Sequence, residues 1–144
     1  MPSLAFAPTQ QAVYSRLLST DTVTKLVNQT VNGKQYKGVY DFVPDDAPYP
    51  YIVIGEPRTD PFTVKNSDIV DVFITLHIWS NYKGKKEAYD ILTACHEAFL
   101  IKLDITGYTV NNTSWSDARV FDDIDGVLRH GVLTLKFNLE KERV

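Results

Sequence analysis

The chain has 144 residues, 44% of them hydrophobic and 23% charged, with a formal net charge of −3. That balance fits a globular protein with a core of its own and excludes one that grips nucleic acid by charge neutralisation, which needs a basic excess. One cysteine, Cys95, excludes an internal disulfide, and no stretch approaches the ~20 apolar residues of a membrane span. Residues 1–8 lack the basic start and apolar run of a signal peptide, so a soluble product made in a cytoplasm is expected, with no membrane partner. The Asn-x-Thr/Ser triplets at Asn28, Asn111 and Asn112 are then chance matches.

Taken in order, residues 8–27 read as an N-terminal helical region. Thr9 can cap a helix whose apolar side is Val13, Tyr14, Leu17 and Leu18, and Asp21 can cap a short turn carrying Val23, Leu26 and Val27. Residues 28–37 are polar and contain Asn32-Gly33, which predicts an exposed loop or small hairpin. Residues 38–43 are a short strand candidate, ended by Pro44, Pro48 and Pro50. Residues 51–54, Tyr-Ile-Val-Ile, read as a central strand buried on both sides. Residues 55–68, with Pro57 and Pro61, read as a loop of the kind that is mobile or functional.

The organising stretch follows. On a strand over 69–79, Val70, Val72, Ile74, Leu76 and Ile78 share one face, while Asp71, Phe73, Thr75, His77 and Trp79 share the other. A helix over 83–103 carries Ala88, Ile91, Leu92, Cys95, Phe99 and Leu103 in one apolar stripe, with polar capping residues in 79–84. Residues 107–116 are polar but β-prone. Residues 119–124 and 127–139 flank Asp125-Gly126, read as a two-residue type I′ turn. That turn sets Asp122 opposite Arg129 and Phe121 opposite His130. It also puts Ala118, Val120 and Ile124 on one buried face with Val127, Leu133, Leu135, Phe137 and Leu139. Residues 140–144 form a charged, frayed tail. With no repeat or linker, residues 1–144 read as one domain. The fold class is α+β: a mostly antiparallel sheet of about five or six strands, the long helix on one face and a shorter N-terminal helix beside it. The sheet and main helix occupy 38–139.

Catalytic chemistry finds little footing. Asp122, Asp123 and Asp125 precede Gly126, but a calcium loop aligned on that glycine would start at Phe121 and end at Val132, so a solvated hairpin tip is the better reading. His77, His96 and His130 lie on three different elements, and His96-Glu97 is followed by Leu100 where a zinc helix needs a second His. Cys95 sits on the apolar stripe as a small hydrophobe. There is no Gly-x-Ser-x-Gly elbow and no phosphate-binding glycine loop. Lys83, Lys85 and Lys86 read as a solvated face near Glu87 and Asp90. No catalytic, cofactor or metal site is assigned. The strand over 69–79 would run to roughly 40 Å at ~3.3 Å per residue, long enough to overrun one core and meet a neighbour.

Tyr49-Pro-Tyr-Ile-Val-Ile-Gly55, His77-Ile-Trp79-Ser80, Gly84-Lys-Lys-Glu-Ala88 and Asp122-Asp-Ile-Asp-Gly126 with Arg129-His-Gly-Val-Leu133, in that order, resemble the tail-completion (tail-terminator) proteins of long-tailed bacteriophages. The likeness covers 38–139; the insert at 28–37 and the loop at 55–68 depart from it. It implies a non-enzymatic virion protein at the head-proximal end of the tail. There it forms a ring, typically of six copies, that caps the tube, ends its polymerisation and offers a surface for head–tail joining. The implied partners are further copies of the chain, the major tail tube protein, the head-completion protein and, as an additional candidate, the tape-measure protein; DNA passes through without specific binding. The alternatives are a head-completion or adaptor protein on the portal side of the joint, and a metal-dependent enzyme using the three His and the hairpin carboxylates. As contact residues the reading selects Phe73, Thr75, His77 and Trp79 on the strand, Arg58, Asp60 and Phe62 in the long loop, and Asp122, Asp123 and Asp125 at the hairpin tip. Trp79, His130 and Gly131 match the family motif and are read as mainly structural.

Overall fold

The computed structural model describes residues 4–61 and 68–142. Helices α1 (Phe6–Ser19) and α2 (Asp21–Val27) open the chain, followed by a small hairpin of β1 (Gln29–Val31) and β2 (Lys34–Tyr36). Asn32 and Gly33 have φ of 51° and 81°, the pair of positive values that a type I′ turn demands, so the predicted hairpin forms as its sequence dictates.

The main sheet contains β3 (Val39–Tyr40), β4 (Tyr51–Ile54), β5 (Arg58–Pro61), β6 (Ile69–Ser80), β7 (Tyr108–Asp122) and β8 (Arg129–Lys141). Its order is β3-β4-β6-β8-β7, with β5 also pairing β6; β3 runs parallel to β4 and the other pairs are antiparallel. The fold is α+β, as expected. Along one side of β6, β4 pairs with residues 76–79 and β5 with residues 70–73, bridged where Gly55 N–H donates to Thr75 O at 2.7 Å. The supposed loop at 55–68 therefore includes a strand; residues 62–67, and with them Phe62, lie outside the described residues.

Helix α3 (Lys86–Ala98) lies across one sheet face, with Ala88, Ile91 and Cys95 fully buried. Under it Val72, Ile74, Leu76 and Ile78 of β6 and Leu133, Leu135, Phe137 and Leu139 of β8 are at most 2% exposed. Phe99 meets Phe137 edge-on with centroids 6.1 Å apart. Burial of this apolar surface stabilises the fold by roughly 25 cal/mol per Å². Burial also lifts the Cys95 thiol to about 12, which fits a packed hydrophobe and not a nucleophile.

Helix α3 is shorter than the 83–103 expectation. Its N-cap, Lys85, makes no side-chain capping bond. Instead buried Ser80 Oγ donates to Glu87 Oε1 at 2.6 Å and accepts from Tyr82 N–H at 3.1 Å, tying the end of β6 to the helix's first turn. At the other end Arg16 donates to the carbonyls of Ala98 (2.8 Å), Ile101 (2.8 Å) and Lys102 (3.1 Å). One guanidinium from α1 thus satisfies carbonyls just past the negative end of α3. Gly38 is required where β3 meets α2: its φ is +83°, and a Cβ there would stand 2.3 Å from Val27 O.

Four further expectations are corrected. The 38–43 strand shrinks to two residues, because the prolines that follow cannot pair. Strand β4 alternates half-buried and buried, since no layer covers its second face. The hairpin turn is not type I′: Gly126 has φ 69° but Asp125 does not take a positive value. Gly126 N–H donates to Asp123 O and Asp123 N–H to Leu128 O, each at 2.9 Å, giving a longer loop built around Asp123–Gly126. This loop keeps the expected register (Asp122 opposite Arg129, Phe121 opposite His130), but Ile124 and Val127 project into solvent. Finally, the charged tail is not wholly frayed. Glu140 and Lys141 belong to β8, and Glu142 N–H donates to Gly107 O at 2.9 Å.

Candidate interaction surface on the open sheet face

Among the described residues, no helix lies on the sheet face opposite α3. Side chains alternate, so β6 sends Asp71, Phe73, Thr75, His77 and Trp79 to this side, opposite Asn138, Lys136, Thr134, Val132 and His130 of β8. Asp71 and Val132 are buried and the rest of these are half-buried. The four predicted contact residues of β6 therefore do form one row on an uncovered face.

Arg58 and Asp60 join them on β5. Arg58 lies over the Phe73 ring at 4.2 Å and also pairs with Asp60, while Lys136 reaches the same ring at 5.7 Å and Asp71 at 3.8 Å. Asn138 Nδ2 donates to Asp71 Oδ1 at 2.8 Å. This end of the face thus holds one aromatic ring flanked by two cations whose charges are locally balanced. In the middle, the Thr75 and Thr134 hydroxyls share a hydrogen bond at 2.9 Å.

The other end is aromatic. By strand register Tyr51, Trp79, His130 and Phe121 stand in one row across β4, β6, β8 and β7. Trp79 stacks on His130 with centroids 4.0 Å apart at 14°, and Phe121 meets the same imidazole at 4.9 Å. Tyr49 stacks on Tyr51 at 5.1 Å, and burial, then the Tyr49 hydroxyl, push the Tyr51 phenol up to about 12. His77 Nδ1 and His130 Nε2 are 2.9 Å apart. Burial lowers the pKa of both, and the His77 charge lowers that of His130 further. His130 and Gly131 divide the labour of their motif. His130 completes the aromatic row, whereas Gly131 faces inward, where a Cβ would come 3.2 Å from Ile78 Cβ.

Of the hairpin acids, Asp123 acts on His130 of this face through its charge, whereas the other two are occupied locally. Asp122 pairs with Arg129 (3.3 Å) and Lys85 (3.5 Å), and Asp125 Oδ1 accepts from the N–H groups of Val127 (2.9 Å) and Leu128 (3.3 Å). His96 lies on the helix side, edge-on to Trp115 at 6.3 Å, so the three His do not converge. No group of three or more potential metal ligands occurs among the described residues. The sequence reading missed Tyr51, Phe121 and Lys136 as members of the open face. Strand alternation was the available signal, but assigning them needed the cross-strand register.

The comparisons with known proteins agree with one another. Residues 11–140 match the family described as tail completion protein gp17. The chain is 32% identical over 139 residues to the tail completion protein gp17 of Bacillus phage SPP1, covering 94% of this chain and 95% of that protein. The solved structure of bacteriophage SPP1 gp17 superposes with a TM-score of 0.58 at 29% identity, over 89% of this chain and 86% of that one. A chain in the virion of a native gene transfer agent particle superposes with a TM-score of 0.77 at 19% identity, over 91% and 93% of the two chains, a likeness of fold.

Proposed function

This chain belongs to the tail completion protein gp17 family, and on that premise we propose that it caps the tail tube as a ring, ends tube polymerisation and presents the surface to which the head is joined. Its coarse role is that of a structural virion protein of the tail; its relatives are tail proteins, not enzymes. The observation that carries the finer reading is the open face. A two-layer domain leaves uncovered one side of a sheet whose three long strands run to twelve to fifteen residues, and that side holds stacked aromatics beside paired charges. Interfaces favour this mixture of aromatic anchors and locally neutralised charge. In this reading neighbouring copies, six by the family resemblance, meet through the face of Phe73, Thr75, His77 and Trp79, with Arg58 and Asp60 at its margin. The tube protein and the head-completion protein engage the two ends of the ring, near residues 55–68 and the Asp122–Asp125 tip. A net charge of −3 suits a channel through which DNA slides without sticking. Catalysis and cofactors have no part in this function.

The test is capping. Purified protein added to tail tubes should bind their ends and stop elongation, seen by negative stain. Phe73→Asp should abolish capping while the circular dichroism of the isolated chain stays unchanged. Tubes that elongate freely in the presence of the native chain would sink the proposal. Binding to portal-bearing heads lacking tails would move the protein to the head side of the joint.

A further inference from the structure

We propose that His77 and His130 form a proton-operated latch on the open face, in which a hydrogen bond between two neutral imidazoles fixes the Trp79–His130–Phe121 stack at neutral pH and a second proton releases it. The geometry sets the stoichiometry. His77 Nδ1 and His130 Nε2 face each other at 2.9 Å, and a neutral imidazole has one donor and one acceptor nitrogen. Two neutral rings therefore make one good bond, and so does one cation with one neutral ring, because the neutral partner can present its acceptor. Two cations cannot: both facing nitrogens then carry protons, and two charges stand within contact distance. The rings titrate as a pair, in two separated steps.

The surroundings act in both directions. On β8's far side Arg119 of β7 disfavours a charged His130 and Asp123 of the hairpin favours it, while His77 opposes it directly. Stacked Trp79 favours an imidazolium through its π face. Next to His77 lies a cleft that also holds Asp41 and Glu56 from the loops around β4. Because His130 is the direct cross-strand partner of both Trp79 and Phe121, its departure unseats two aromatic side chains at once. The consequence for assembly rests on the reading of this face as the contact surface; the latch itself is a property of the isolated chain.

The chain has two tryptophans, so Trp115→Phe leaves Trp79 as a single reporter beside His130. On acidification from about pH 8 to about pH 4.5 its emission should fall in a transition that disappears in the His77→Gln/His130→Gln double variant. Imidazole NMR of the unsubstituted chain should show two separated steps for the pair. In His77→Gln, the His130 step should move to higher pH than the second step of the native pair. Independent titration of the two rings, each indifferent to replacement of the other, overturns the proposal, as does a Trp79 signal unchanged through the titration. If Trp115→Phe does not fold, the NMR titration decides alone. Tube capping measured across the same range separates the two ideas. A chain that titrates as a pair but caps at no pH fails the ring reading and keeps the latch; a chain that caps but titrates independently does the reverse.

Discussion

The two faces of the main sheet are made by the same strands and obey different rules. Toward α3, Ile74, Leu76, Leu135 and Phe137 are closed to solvent, and each is held by packing alone. Away from it, Phe73, Thr75, His77 and Trp79 remain half-buried, and each has a named partner: a cation, a hydroxyl, an imidazole, a stacked ring. The inner face secures the monomer. The outer face is kept in order by pairwise contacts of modest strength, so a partner can cover it without first repacking a core.

Two phenylalanines one strand apart give the largest test of that division. Phe137→Ala, on the inner face, should lower unfolding free energy by about 3–5 kcal/mol, read by urea denaturation. Phe121→Ala, on the outer face, should lower it by about 1 kcal/mol, since the ring is already partly in water. Equal losses would erase the distinction. The two faces should also differ in their response to pH. Cys95, raised from 9.0 to about 12 by burial, resists ionisation that the unfolded chain accepts, so stability falls as pH rises above about 9. Cys95→Ala should flatten part of that limb, leaving what is due to the other raised groups, Tyr51 of the outer face among them. His77 and His130, held below 6.5, resist protonation that the unfolded chain accepts, so their contribution is complete above pH 6.5 and is lost as pH falls below it. Chemical denaturation at several pH values, with the two His→Gln variants as controls, measures this smaller limb. Smallest is the hydroxyl pair. Thr134→Val alone should remove up to about 1 kcal/mol, because Thr75 then keeps a half-buried hydroxyl without its partner. The double Thr75→Val/Thr134→Val variant should be close to neutral.

What was legible in the sequence follows the range of the interaction. The apolar face of β6, the stripe of α3 from Ala88 to Cys95 and the Asn32-Gly33 turn are written in neighbouring residues and stand where local pattern put them, while Phe99 and Leu103 of the expected stripe lie past the helix end. The family likeness and the row from Phe73 to Trp79 were likewise readable. The Arg16 brace joins residues more than eighty positions apart, and the His77–His130 contact joins residues fifty-three apart; no local pattern announces either. Strand β5 was hidden by Pro57 just before it and Pro61 at its end. The burial expected at Ile124 and Val127 failed for a geometric reason: the hairpin extends past the last strand pair of β6, Ser80 with Arg129, and has no third strand there to shelter it.

Strand β7 breaks register with β8 twice, at Asn111 and at Ser116, while every residue of β8 from Arg129 to Lys141 has a partner on β6 or β7. The two strands differ, then, in slack. Either unpaired residue of β7 can be deleted without changing any pair beyond it, and an added residue can be absorbed by another bulge. Nothing comparable is available in β8, where losing one residue would exchange the inner and outer faces for the remainder of the strand. Length variation among relatives should therefore accumulate in the outermost strand and be absent from its neighbour, with the hairpin growing or shrinking at its edge while the open face keeps its spacing.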